Sequence, residues 1–114
     1  MALEEYFATG PSHERPIFDA VMARLGDEGL DVFVEPVSVG IFLKRARTFA
    51  DLRPMQRWVA LGFSLRRAVR HRTILRRPIP YSGRYWHVAN LRSPADLDDE
   101  LVGWLVEAYN DTPA

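Results

Sequence analysis

The central part of the chain alternates apolar residues with small or polar ones, and this period of two constrains the fold more than any other feature. Between Asp31 and Arg92 the runs are rich in β-branched and aromatic residues and are separated by turn-forming residues. Such alternation is typical of strands that bury one face. Because the connections between the runs are short, we expect a mostly antiparallel meander.

Two runs, residues 37–44 and residues 57–65, are long enough to assign the faces of their strands. In both, branched or aromatic apolar residues share one face. Shorter strands are predicted at residues 48–53, 72–77 and 84–92. The opposite face of the two long strands carries mainly small residues, namely Ser38, Gly40, Ala60, Gly62 and Ser64. If the two strands are neighbours, this face is a shallow floor that either the last helix or a ligand would fill.

Helical periodicity occurs on both sides of this segment. After Ser12, which can act as an N-cap, apolar residues at helical spacing predict a helix over residues 13–25. Ser93 and Pro94 predict the start of a second helix that continues to about Tyr109. The expected fold is therefore α+β, a mostly antiparallel sheet of about five strands flanked by an N-terminal and a C-terminal helix. It should form a single domain over residues 1–114.

The net charge of the chain is zero, but its charges are unevenly distributed. Residues 36–95 hold 13 of the 15 basic groups and one acidic group, Asp51, which gives +12. The rest of the chain holds two basic and 14 acidic groups, which gives −12. Since electrostatic fields act over roughly 8–10 Å in physiological salt, the central block can form a basic surface for an anionic partner. Alternatively, the acidic helices fold over the basic sheet and neutralise it.

The leading hypothesis is a non-catalytic binding or accessory module. Its basic sheet face would engage an anionic ligand, a nucleic acid or an acidic protein partner. The predicted ligand-binding residues, which supply cations, a flat ring and a small hydroxyl group, are Ser38, Lys44, Arg47, Trp58, Arg66 and Arg84. The densest cationic stretch, residues 66–77, has no tryptophan, tyrosine or phenylalanine between its arginines, so its nucleic-acid signal is weak.

Two alternatives from other classes stay open. The first is a small-molecule enzyme that uses His87 as acid or base beside Lys44 or Arg84. It requires His87 to open into a concave pocket, whereas a closed core with both ring nitrogens bonded to backbone would remove it. The second is a module for oligomerisation or interaction, as a homodimer or with a protein partner, through a sheet edge or the helix that carries Trp104.

Several classes are disfavoured by what the sequence lacks. With no cysteine, disulfides, zinc ribbons and thiol nucleophiles are eliminated. The three histidines do not have metal-binding spacing, and the glycine-rich nucleotide motifs and the Gly-x-Ser-x-Gly motif are absent, so we expect no metal and no cofactor. The acidic start, with Glu4 and Glu5, and apolar runs far shorter than the roughly 20 residues that cross a bilayer favour a cytoplasmic protein without a membrane partner.

Three stretches of the sequence are distinctive together, namely residues 35–54, 58–63 and 93–109. They resemble a bacterial family described as domain of unknown function 5655, and the resemblance extends from about Glu5 to Tyr109. It implies an α+β domain in a bacterial, actinobacterial and cytoplasmic setting, and it supplies no activity or site residue. Relatives often carry an amino-terminal Cys/His segment similar to a zinc ribbon, which this chain lacks, and others are appended to larger proteins. That arrangement favours a binding or accessory module over a self-sufficient enzyme.

Overall fold

Three α-helices and six strands follow one another along residues 1–112, the part of the chain that the computed structural model describes. The helices are α1 (Leu3–Ala8), α2 (Glu14–Asp27) and α3 (Asp99–Asp111), with a 3-10 turn at Pro94–Asp96. The strands are β1 (Phe33–Val37), β2 (Gly40–Lys44), β3 (Thr48–Pro54), β4 (Val59–Leu65), β5 (Ile79–Tyr81) and β6 (Arg84–Leu91). None of these helices is long and apolar enough to cross a membrane.

All six strands form one antiparallel sheet in the order β1-β2-β3-β4-β6-β5. The predicted α+β class, with a mostly antiparallel sheet between two terminal helices, is confirmed. The order departs from a meander only at the end, where β6 pairs with β4 and β5 becomes the edge strand. The β5–β6 hairpin turns through Ser82 and Gly83, both with positive φ (47° and 74°), as the tightest hairpin turns require.

The helices cover one face of the sheet. On β4 the buried apolar residues predicted to share a face, Val59, Leu61, Phe63 and Leu65, all belong to the main core together with residues of α2 and α3. Helix α3 packs against β3 and β4, and α2 packs against α3. Burying each large apolar side chain contributes about 1.5–3 kcal/mol, so this layer accounts for most of the stability.

Two of the strands predicted from the sequence are wrong. The run 37–44 is two strands, since Ser38 and Val39 form the turn of the β1–β2 hairpin. The alternation continues through this turn, and no Asn-Gly or Asp-Gly pair marks it. Residues 72–77 lie in a long loop, residues 66–78, in which the carbonyl of Thr73 accepts a hydrogen bond from the amide of Asn90.

The helix starts differ from the predicted positions by a few residues. The N-cap of α2 is His13, which makes no side-chain cap hydrogen bond. The helix predicted to start at Ser93 begins at Asp99, and its cap is Asp98, whose side chain accepts from the amide of Leu101 at 3.0 Å. Ser93 and Pro94 introduce only the 3-10 turn, because Asp96 turns its carboxylate back to the amide of Arg92.

Candidate functional site

A groove of about 860 Å³ lies on the open face of the sheet, defined here as the face opposite the helices. Its floor comes from β3, β4 and β6, and its walls come from the β3–β4 turn, the 66–78 loop and β5. The lining residues are Asp51, Arg53, Met55, Trp58, Ala60, Gly62, Leu75, Arg76, Ile79, Tyr81, Trp86, Val88, Asn90 and Arg92. This volume is within the range of about 300–1,000 Å³ that is usual for small-molecule sites.

The floor of the groove is built on Gly62, where two neighbouring strands place large side chains over a position that has none. A Cβ atom at Gly62 would overlap the indole of Trp86 from β6 and lie 2.5 Å from Oδ1 of Asp51 on β3. The register explains this convergence, since Asp51 is the direct partner of Gly62, and Trp86, opposite Ser64, is its diagonal neighbour on β6. Glycine is therefore required for the close approach of Trp86 and Asp51.

Three arginines line the groove. The guanidinium of Arg92 lies over the ring of Trp58, 5.5 Å from the ring centre. Nε of Arg53 lies 3.4 Å from Oδ2 of Asp51, and the Arg53 side chain is half exposed. Arg76 is exposed and, within residues 1–112, makes no ion pair. The groove therefore has three cations against one carboxylate.

Of the residues predicted to bind a ligand, only Trp58 lines the groove. Lys44 of β2 pairs with Glu35 of β1 at 2.9 Å, towards the β1 edge of the sheet. Arg84 is held by Ser64, to which its Nε donates at 2.6 Å. The other three predicted residues lie elsewhere: Arg47 between β2 and β3, Arg66 just after β4, and Ser38 in the β1–β2 turn beside a small cavity of about 160 Å³.

The last helix does not cover the small-residue face of β4. Trp104 and Leu101 of the last helix are buried in the main core on the opposite side, where the Trp104 ring stacks at 6.2 Å on Phe63. Ala60 and Gly62 line the groove instead. Ser64 lies at the end of this face, where it accepts hydrogen bonds from Tyr81 and Arg84. Ser38, expected on this face, lies in the β1–β2 turn instead.

His87 is fully buried on the helix-covered face. Its ring stacks on Phe63 with 5.1 Å between ring centres. Nε2 accepts from the amide of Val69 at 3.0 Å, which leaves the proton on Nδ1, 3.1 Å from the carbonyl of Tyr85. Burial lowers the pKa of this imidazole. Because both nitrogens are bonded to backbone inside a closed core, His87 offers no atom to a substrate, and we do not assign it an acid or base role.

The basic and acidic blocks of the chain neutralise each other only in part. Carboxylates of the C-terminal segment pair with the 66–78 loop, as Glu107 does with Arg67 at 2.8 Å and Asp96 with Arg72 at 3.0 Å. His71 lies 2.8 Å from Asp98 in the same way. None of these pairs takes up a guanidinium that lines the groove, since they involve Arg67, Arg72 and His71.

Sequence reasoning missed most of the groove, including Asp51, Arg53, Trp86 and Arg92. Their convergence depends on strand register, which a single sequence does not reveal. Two signals were present nevertheless. Asp51 is the only acidic residue between positions 36 and 95, and Gly62 interrupts an otherwise apolar strand, which commonly marks a close approach.

No cluster of three or more His, Cys, Asp or Glu side chains is placed to hold a metal ion within residues 1–112.

Comparison with known proteins gives a family but no activity. No curated protein and no solved structure matches the chain. One family model, described as Domain of unknown function (DUF5655), matches residues 3–112. Since this match spans nearly the whole sequence, the chain belongs to the family of domains of unknown function 5655.

Proposed function

We propose that this domain is a non-catalytic binding module whose groove holds an anionic ligand with a flat ring. The observation that carries the proposal is the groove itself, an uncovered, ligand-sized depression that combines aromatic walls with three arginines. Sites for small molecules are usually concave and mostly apolar, with a few polar groups that fix orientation. The groove on the open face has this composition.

The aromatic part of the proposal rests on Trp58, Trp86 and Tyr81. Both indoles are partly exposed, and Tyr81 is fixed by the 2.7 Å hydrogen bond from its hydroxyl to Ser64. Side chains of this kind offer flat surfaces on which a ring can stack. The exposed Leu75 and Ile79 add apolar walls.

The anionic part rests on Arg53, Arg76 and Arg92. A guanidinium is always charged and presents a fork of donors that fits carboxylate and phosphate groups. Arg92 is already positioned over Trp58, so a ring and an anion bound there would contact neighbouring side chains. A ligand that has both groups gains from both sets of contacts.

The test uses 8-anilinonaphthalene-1-sulfonate, a fluorescent aromatic anion, titrated into the folded domain. We expect one bound probe per chain. Arg92→Gln should weaken it about tenfold, the effect of losing one hydrogen bond or ion pair to a charged group. Arg47→Gln is the matched control, because it removes the same charge from the β2–β3 connection and should leave the affinity unchanged. Equal affinities for wild type and Arg92→Gln would contradict the proposal, as would equal losses in the two variants.

A second candidate function, binding of a nucleic acid, is favoured by the exposed arginines of the 66–78 loop. Arg66, Arg70 and Arg77 are exposed, and none of them has an ion-pair partner in the described part of the chain. Neutralising phosphates would make binding strongly dependent on salt. This function predicts late elution from heparin and the opposite pattern of variants, with Arg66→Gln and Arg70→Gln weakening binding to single-stranded DNA and Arg92→Gln leaving it unchanged. Early elution and no salt-sensitive DNA binding would contradict it.

A further inference from the structure

Asp51 is the one group in the groove that an anionic ligand alone does not explain. It lies on the floor with 7% of its surface exposed, and it is the only carboxylate among the lining residues. An anion at the floor would be repelled by it at short range. The bound molecule must therefore direct its negative group to the arginines and a different group to Asp51.

The surroundings of Asp51 use only part of its capacity to accept hydrogen bonds. A carboxylate has two oxygens and about four acceptor positions. The nearest cation is Nε of Arg53, at the long distance of 3.4 Å from Oδ2. Burial raises the pKa of the carboxyl, and Arg53 and the amide of Gly62 offset this only partly. A buried, poorly bonded carboxylate is costly, and donors brought by a ligand would relieve that cost.

Trp86 places a ring surface directly beside this carboxylate. Both its indole and Oδ1 of Asp51 lie over Gly62, so a ring bound against Trp86 would have the carboxylate close beside it. The edge that suits two carboxylate oxygens has two adjacent N–H donors. Guanine has such an edge, at N1 and N2, whereas adenine, cytosine and uracil each place an acceptor next to a donor.

Resting on the function proposed above, we infer that the groove binds a guanine nucleotide. Asp51 accepts hydrogen bonds from N1 and N2 of the base, the base lies against Trp86, and the phosphate, at the opposite end of the nucleotide, faces Arg76 and Arg92. Asp51 thus determines specificity, while the arginines supply affinity for any nucleotide. The chemistry resembles other sites in which a polar group reads the pairing edge of a stacked base.

The experiment measures how nucleoside monophosphates displace 8-anilinonaphthalene-1-sulfonate from the wild-type domain. GMP should compete at least tenfold better than IMP, which lacks the N2 donor, and about 100-fold better than AMP, which places an acceptor at N1. Asp51→Asn should reverse the preference, because the amide offers one donor and one acceptor and thereby suits XMP, which has an N1 donor and an oxygen at C2. Asp27→Asn, at the exposed end of α2, is the matched control and should keep the preference for GMP.

The outcomes separate this inference from the proposed function. If the probe binds the groove but GMP, IMP and AMP compete equally, the groove binds anionic rings and the inference about guanine is overturned. If Asp51→Asn still prefers GMP to XMP, Asp51 does not read the base. If the groove variants fail to affect probe binding, both proposals are overturned. Because the reversal is measured within one variant, a general loss of affinity cannot imitate it.

Discussion

The two faces of β4 place consecutive residues in opposite environments. Phe63 is fully buried beneath the helices, while Gly62 faces the groove and is covered there by Trp86 and Asp51. Their strand neighbours repeat the contrast, since Phe63 pairs with His87 and Gly62 pairs with Asp51. His87 has both ring nitrogens bonded, whereas the buried Asp51 has only Arg53 and the amide of Gly62 as partners. The polar side chain on the helix-covered face is thus fully bonded within the fold. The carboxylate on the open face still has free acceptor positions.

The contrast predicts that the largest stability losses arise on the covered face. Phe63→Ala removes a ring that stacks on both His87 and Trp104, and should lower the free energy of unfolding by about 3–5 kcal/mol. Urea denaturation measures this loss. Ile79→Ala, at a 61% exposed position in the groove wall, is the control and should change stability by about 0.5 kcal/mol or less. Similar losses for the two variants would abolish the distinction between the faces.

His87 gives the next largest effect and a pH dependence with a defined sign. His87→Gln should cost about 2–4 kcal/mol, because the amide of Val69 and the carbonyl of Tyr85 lose well-placed partners.

Burial lowers the pKa of the folded imidazole, so below about pH 6.5 the unfolded chain takes up a proton that the folded chain does not. The contribution of His87 is complete above that pH and is lost as the pH falls towards the lowered pKa. Wild type should therefore lose more stability than His87→Gln between pH 7.5 and pH 5.5, as measured by urea midpoints. Parallel losses would show that His87 does not titrate in this way.

Gly62→Ala tests the close approach on the open face. The added methyl group would collide with Trp86 and Asp51, which should destabilise the fold by about 1–3 kcal/mol and reduce probe binding. Gly103→Ala is the matched control, because nothing lies within 4 Å of the new methyl group on the exposed side of α3. That change should instead stabilise the protein by about 0.5–1 kcal/mol. Thermal melts distinguish the two signs, and a stabilising Gly62→Ala would contradict the described floor.

The smallest expected effect has the opposite sign to most substitutions. Asp51→Asn should increase stability at neutral pH by about 1 kcal/mol, since it removes a buried charge whose cost Arg53 and the amide of Gly62 offset only partly. Because burial raises the folded pKa of Asp51, its unfavourable contribution grows as the pH rises through that pKa and disappears below about pH 3.8. The advantage of the variant should therefore shrink on acidification. A variant less stable than wild type at pH 7 would show that Asp51 supports the fold.

Much of the covered face was predictable from the sequence, because residues 59–65 alternate clearly and burial fixes which side faces the core. The open face was much less predictable. Trp58 was expected to stack, but its neighbour Arg92 directly follows β6 and meets it only through the pairing of β4 with β6. Lys44 and Arg84 were reasonable cations from their strand positions, yet Glu35 and Ser64 hold them. Local patterns report burial well, and they do not report which strands are neighbours.

The two edges of the sheet limit the addition of further strands from outside the chain. Its two outer strands, β1 and β5, each contain a proline, Pro36 and Pro80. Each proline lies one position from the pair that flanks a two-residue hairpin turn. In such hairpins the flanking pair bonds inward and the next residue points its N–H outward, so each proline removes a donor from a free edge.

Neither edge can therefore serve as a complete template for an added strand from a peptide or another copy. A domain limited in this way can be attached to larger proteins, or reach high local concentration, without seeding fibrous aggregates. Neither proline lines the groove, so the open face stays accessible while both margins of the sheet resist the addition of a strand.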